Sequence, residues 1–471
     1  MKTTIAAAIA ATSLAVIADA TPAGSPPPGA DSASEEKSAL SFDAGASVRT
    51  RQEVMHNVPA AMNGMLGRPG VARGKTKNQL RIRPSVWAEV KYDDMWRIYA
   101  RVTDEFRAGL VQKTHNQTFP CELVLDNLFF EGKGFFDGFL DVAFGRQDIY
   151  RLYGLDHIFV DGTPGDGSCS VHADLFRVAL NFTETERLDL FGIYNADQDE
   201  LRWGTKRSRH LSKTGFGRGD REMDDWGYGA IWNSRFDFID CQLFYIGKGT
   251  KAFHVSGEKH PWKFTNLLGM KVVPHWTETF STPVETMAQV GRNGDGEALH
   301  AWAAYAGFDW KMEKLSCGVR PFWNGGVLVL SGDKNAANED GGKSAWDPMW
   351  YRGVDDGEMF LYGSLYGCGW WSNLVNPKTT FGLEFGYHHA AQLTTGPMFV
   401  ETKDGVGGGN GRFKGYFTQA KYEFPIYISS KDEGGRLEIF GHVLGEIFNP
   451  GDYYDTDKPA YFVRWQVEVK F

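Results

Sequence analysis

The chain has 471 residues, a formal net charge of −9, 14% aromatic residues, 56 Gly and five Cys. The acidic balance excludes a broadly basic nucleic-acid binder. The widely spaced Cys, with no CxxC, argue against a disulfide scaffold and against a zinc site.

In chain order, residues 1–20 read as a secretory signal: Lys2 supplies the charge, Thr3 to Ile17 the apolar stretch, and Ala18-Asp19-Ala20 the cleavage site. Residues 21–40, rich in Pro, Gly, Ala and Ser, read as a disordered lead-in. From 41 to 471, strand-like segments follow one another with no helical period, and no run of eighteen apolar residues offers a membrane helix. Phe42, Ala44, Ala46 and Val48 alternate with Asp43, Gly45, Ser47 and Arg49. Leu80 to Val90 alternate with Arg81 to Glu89, and Trp96 to Val102 with Arg97 to Thr103. Further strands are expected at 123–130, 138–146, 174–182, 187–195, 226–234, 236–246, 299–310, 315–330, 358–372, 379–390 and 413–428. Leu437, Ile439, Gly441 and Val443 oppose Arg436, Glu438, Phe440 and His442.

The last strand is the clearest. Tyr461, Val463, Trp465, Val467, Val469 and Phe471 form an unbroken apolar set. Arg464, Gln466, Glu468 and Lys470 form a polar one, and only Phe462 breaks the pattern. A strand of about ten residues with one apolar face has the length of a tilted bilayer crossing. Short breaks such as Lys91–Asp94 read as turns, while 56–77, 160–170, 196–222, 247–262, 331–350 and 399–411 read as long loops. That asymmetry, and a mean hydropathy of −0.36, suit a transmembrane barrel, whose strands are polar on the other side. The expected class is all-β: a transmembrane antiparallel β-barrel in a bacterial outer membrane. At about 25 residues per strand and connection it has about sixteen to eighteen strands. No 40–50-residue repeat supports a propeller.

The polar faces carry the functional signal. They hold Arg49, Arg51, Arg81, Arg83, Arg97, Arg101, Arg107, Arg436 and Arg464, with Glu53, Glu89, Glu105, Glu438 and Glu468 interspersed. Arg146 and Arg177 are placed on the same side. One reading is a cationic lumen that passes anions, since a guanidinium fork holds carboxylates bidentately and stays charged. The other is a salt-bridge lattice that stiffens the barrel. On the first reading, Arg81→Glu with Arg83→Glu lowers anion selectivity and leaves folding intact. His388-His389, adjacent on a strand, face opposite ways and cannot chelate one metal. The loop Asp161 to Gly167 leaves surface calcium open, although it lacks the full calcium-loop pattern. No GxSxG or HExxH motif marks a catalytic centre, so no enzyme activity and no cofactor are expected.

Several short motifs recur in a recognisable order: Arg81-Ile-Arg83, Gly145-Arg-Gln147, Ser331-Gly332-Asp333 and Ala345-Trp-Asp347-Pro348. With the terminal Phe471, their order over roughly 42–471 resembles the alginate-export family of outer-membrane porins. Trp346 stands where that family's pattern has Phe, and the Gly145-Arg-Gln147 stretch continues without its usual glycine. The resemblance implies a monomeric 18-stranded barrel with an electropositive pore for an anionic polyuronate. It also implies periplasmic partners that deliver polymer, besides contact with outer-membrane lipid. A general porin for small anions or sugars, a glycan-active β-sheet enzyme and a plugged surface adhesin remain as alternatives.

Overall fold

The computed structural model describes residues 40–57, 76–93, 95–109, 119–121, 123–147, 172–196, 201, 203, 225–251, 253–255, 258–260, 262–292, 296–334, 343–347, 349–350, 372–404, 408–429 and 437–471. The signal, the lead-in up to residue 39, the Asp161–Gly167 loop and Arg436 lie outside these residues, and Leu40, the last residue expected in the lead-in, opens the first strand.

Eighteen staves form one closed antiparallel sheet. They are β1 (Leu40–His56), β2 (Thr76–Tyr92), β3 (Trp96–Thr103 with Phe106–Gly109), β4 (Val124–Phe135), β5 (Leu140–Gln147) and β6 (Ala173–Asn181). Then come β7 (Glu186–Asn195), β8 (Asp225–Phe236), β9 (Ile239–Thr250), β10 (Lys263–Thr277), β11 (Phe280–Ser281 with Val284–Arg292) and β12 (Ala298–Lys311). The last six are β13 (Arg320–Leu330), β14 (Leu374–Phe385), β15 (His389–Phe399), β16 (Phe413–Ile428), β17 (Glu438–Pro450) and β18 (Ala460–Lys470). A small hairpin, Phe253–Val255 with Glu258–His260, sits between β9 and β10.

Two staves are interrupted beside prolines. Asp104 N–H donates to Pro84 O at 3.1 Å, and Thr282 N–H to Pro274 O at 3.1 Å. Proline has no N–H to return, so the ladder lapses there while the strand path continues. Closure is made by β1 against β18, from Ser47 opposite Lys470 to His56 opposite Tyr461. Past the end of β18, Phe471 N–H donates to Ala46 O at 2.8 Å, so the C-terminal residue is stitched to the first strand.

Short connections share one end: 93–95, 136–139, 182–185, 237–238, 278–279, 312–319 and 386–388. Connections such as 57–75, 148–172, 196–224 and 331–373 share the other. The outward set on β18 is exposed, with Tyr461, Val463 and Trp465 all above a third, whereas Arg464 and Phe462 are buried on the inside. Phe462 therefore breaks the alternation because it packs within the barrel. Aromatics gather at the turn end of the exterior, among them Phe136, Trp276 and Tyr387. This is the interfacial girdle of a membrane barrel.

The expected segment 413–428 coincides with β16. The segment 379–390 instead crosses a turn: β14 ends at Phe385, His388 has φ +59°, and β15 begins at His389. The two histidines thus straddle a turn, and His389 Nδ1 lies 2.8 Å from the Tyr422 hydroxyl. The expected strand 358–372 lies outside the described residues except for Ser372, which is not in a strand. The staves β10 and β11 were not anticipated.

Candidate functional site

The inner face carries two unlike regions. The first is an arginine knot where the barrel closes. Register places Arg49 between Arg83 and Glu468, Arg51 between Arg81 and Gln466, and Glu53 between Gln79 and Arg464. Like charges directly opposite repel, and two carboxylates hold them. Arg81 donates to Glu53 (Nη1, 2.9 Å) and to Glu105 (Nη2, 2.7 Å). Arg464 Nη2 reaches Glu53 at 3.1 Å, Arg51 Nε lies 3.0 Å from it, and Gln79 Nε2 donates to it at 2.7 Å. Arg49 and Arg83 approach Glu105 at 3.3 and 3.8 Å. Among the described residues, five guanidinium groups share these two carboxylates, all with side chains at most 10% exposed. Arg107, about a quarter exposed, lies 3.9 Å from Glu105. The knot gathers these guanidinium groups on one wall.

Below it, toward the turns, Arg101 Nε donates to Asp126 at 2.8 Å. Arg97 pairs with Glu89 and, at 3.6 Å, with Glu131. Arg177 Nη2 meets Asp189 at 2.6 Å. Glu438 faces Lys470 in the register, and Glu468 lies 3.7 Å from Lys470 Nζ. These residues share the inward parity of the knot. Arg146 differs. It stands opposite Leu128 and Asp174, on the parity of exposed Phe144 and Phe176, and it binds Asp174 at 2.8 and 3.1 Å. Unlike those two phenylalanines it is buried, and it follows Gly145, whose φ is +117°. The expectation that Arg81→Glu with Arg83→Glu spares folding is overturned. Those charges would enter a buried cluster beside Glu53 and Glu105, and unpaired buried charge is strongly destabilising.

The second region is an inward-folded segment. Residues 343–347 and 349–350, after β13, pack against the inner faces of β8 to β12, and Trp346, Met349 and Trp350 are almost fully buried. Asp347 N–H donates to Gln289 Oε1 at 2.9 Å, and Gln289 Nε2 returns a bond to Asp347 O at 2.7 Å. Thr265 Oγ1 donates to the Asp347 carboxylate at 2.7 Å, and Lys263 Nζ lies 3.1 Å from it. Lys248 Nζ donates to Met349 O at 2.6 Å and sits over the Trp350 ring. A Cβ on Gly227 would lie 2.4 Å from that indole, so only glycine seats it. Burial opposes ionisation of Asp347, yet Lys263, Lys248 and the Thr265 hydroxyl outweigh it and hold the carboxyl down at about 2.

The Ser331-Gly-Asp333 motif pins the N-terminal part of this segment. Ser331 O accepts from Trp346 N–H (2.9 Å) and Asn373 N–H (3.2 Å), while Asp333 accepts from Ser344 N–H (2.9 Å). Gly332 N–H donates to Glu401 at 3.0 Å, tying in the next loop. Of the residues holding the segment, Lys248, Lys263, Thr265 and Gln289 had no distinguishing sequence signal; Asp347 was legible only as part of a motif.

No family model matches the chain, and no curated protein matches its sequence. Solved structures do match. The chain is similar to OccK5 (OpdH) of Pseudomonas aeruginosa, with a TM-score of 0.53 and 8% identity, over 91% of this chain and 98% of that one. It is similar to a BenF-like porin from Pseudomonas fluorescens Pf-5, with a TM-score of 0.51 and 8% identity, over 91% and 98%. At such identity the likeness is one of fold. The fold is a closed 18-stranded antiparallel β-barrel of the kind these two solved structures have. The apolar, aromatic-rimmed exterior places it in a bacterial outer membrane. The resemblance to alginate exporters gains no support from these matches and rests on the sequence motifs alone.

Proposed function

We propose that the protein is a passive anion-selective porin for carboxylate-bearing saccharides. The observation that carries this is the arginine knot, with five guanidinium groups to two carboxylates on one inner wall. Buried guanidiniums need not touch the solute. Guanidinium charge gathered on one low-dielectric wall raises the local anion concentration. The remaining inner pairs, Arg101–Asp126 and Arg177–Asp189, alternate in sign. Weak, distributed contact of that kind lets a solute leave as readily as it enters.

The inward-folded residues 343–347 and 349–350 take up room beside the wall of β8 to β12, which favours short solutes over a polymer. An alginate-like polyuronate remains the reading that the motif order supports, and it differs from the first only in solute length. Planar-bilayer recordings test both. Reversal potentials in a salt gradient should show anion preference, reduced by Arg49→Gln with Arg83→Gln, a pair that leaves both carboxylates neutralised by Arg51, Arg81 and Arg464. Cation preference in the unmodified protein would sink the proposal. Block by monomeric and trimeric uronates without block by long polyuronate would select the short-solute reading.

A further inference from the structure

We propose that Trp87, Tyr99, Phe129 and Arg97 form a saccharide subsite on the inner wall near the turn end, taking a pyranose that carries a carboxylate. The inference rests on the porin reading and names where that solute is held.

Trp87 and Tyr99 lie on the inward parity of β2 and β3, and Phe129 faces Tyr99 across the β3–β4 pair. The rings run in a row. Trp87 and Tyr99 stack with centroids 6.1 Å apart at 23°, and Tyr99 and Phe129 follow at 5.5 Å and 34°. All three are half-buried, so part of each ring faces the interior space. Exterior aromatics are explained by the membrane interface; these are not, because they turn away from lipid. Nor do they belong to the buried apolar cluster around the inward segment. A row of open rings on a polar wall resembles the lining of a small-molecule site, where aromatic surface is joined by a few placed polar groups.

The seat is built into the neighbouring strand. Gly45 stands opposite Trp87, and a Cβ there would lie 2.8 Å from the indole and 2.5 Å from Phe471 O. Glycine lets the indole lie against β1. The polar group is Arg97, whose guanidinium carbon lies 5.3 Å from the Tyr99 centroid and 5.2 Å from the Phe129 centroid. Its side chain is 34% exposed, far more than the knot arginines. Its partners are also served by other cations: Lys91 Nζ is 2.6 Å from Glu89, and Lys133 Nζ is 3.1 Å from Glu131. Arg97 can therefore turn to a ligand carboxylate while both glutamates keep a counter-charge. Pyranose C–H faces pack on aromatic rings, and the guanidinium fork takes the carboxylate. Trp87 is four residues beyond Arg83, about 13 Å along the strand toward the turn. A solute drawn in by the knot would reach the rings next.

The test is single-channel block by trigalacturonate, with maltotriose as the neutral probe, on the full chain in planar bilayers. Trp87→Ala and Tyr99→Ala should shorten the trigalacturonate dwell time about tenfold, the loss of one good ring contact. Trp87→Phe and Tyr99→Phe, which keep a ring, should retain most of it. Arg97→Gln should weaken block by trigalacturonate and spare that by maltotriose. Wild-type dwell times in both Ala variants would overturn the subsite, as would equal loss in the Ala and Phe variants, which signals packing alone. Salt-gradient reversal potentials, measured on the same channels, separate the two ideas. Anion preference with unchanged dwell times rejects the subsite only; cation preference in the unmodified protein rejects the porin reading itself.

Discussion

The two inner walls of this barrel solve the same problem in opposite ways. The wall of β1, β2, β3 and β18 is lined by buried charge, and its cohesion comes from Glu53 and Glu105 bridging several arginines. The wall of β8 to β12 is lined by Ile231, Ile246, Leu267 and Met287, and its cohesion comes from an inserted segment packing on them. One wall stores electrostatic energy that collapses when a partner is lost. The other stores apolar contact pinned by the buried carboxylates of Asp347 and Asp333. The difference teaches that an inward face need not be polar when part of the chain itself covers it.

The largest effect should come from taking a carboxylate out of the knot. Glu105→Gln removes a carboxylate shared by Arg81, Arg49 and Arg83 and should cost about 3–5 kcal/mol, the range for breaking a buried pair. Urea unfolding in detergent micelles would read it, and a loss below 1 kcal/mol would mean the knot is solvated. On the opposite wall, Asp347→Asn should cost about 1–3 kcal/mol, mostly felt by the segment. Expected readouts are faster proteolysis near Trp350 and a noisier, larger conductance, with the barrel's own unfolding little changed. If global unfolding falls as far as for Glu105→Gln, the two walls are not independent.

Acid titration sharpens the contrast further. The Asp347 carboxyl is depressed to about 2 from its usual 3.8, so its pairing with Lys263 and Lys248 is complete above about pH 4. That contribution is lost as the pH falls from there through about 2. Conductance noise should therefore stay flat from neutral pH down to about 4 and rise only below it; a rise beginning near pH 6 would exclude Asp347 as the pin. The smallest effect is expected at Arg320, whose contact with Glu384 is 3.9 Å long and exposed on both sides. Arg320→Ala should change stability by less than about 1 kcal/mol.

Legibility in the sequence followed the same division. On the charged wall the faces differ in polarity, so β1, β2, β3 and β18 announced themselves, and the arginines could be placed on one side. On the other wall Leu267 beside Leu268, and Val272 beside Val273, erase the alternation, since Leu267 is buried inside while Leu268 is 66% exposed outside. That is why β10 left no readable period. The motif Ser331-Gly-Asp333 was visible, but nothing local says that it steers the following residues inward instead of outward.

By itself the sequence determined a closed, membrane-crossing antiparallel barrel, because a period of two is a property of neighbouring residues along one strand. It also determined that arginine would dominate one face. Only the tertiary structure decided that those arginines knot around Glu53 and Glu105, that Arg146 pairs with Asp174, and that Trp346, Met349 and Trp350 pack on the inner wall of β8 to β12. Those outcomes depend on register and on distant partners, such as Arg464 reaching Glu53 across the closing seam. Such pairings are set by how the sheet closes, and no local pattern in the chain encodes that.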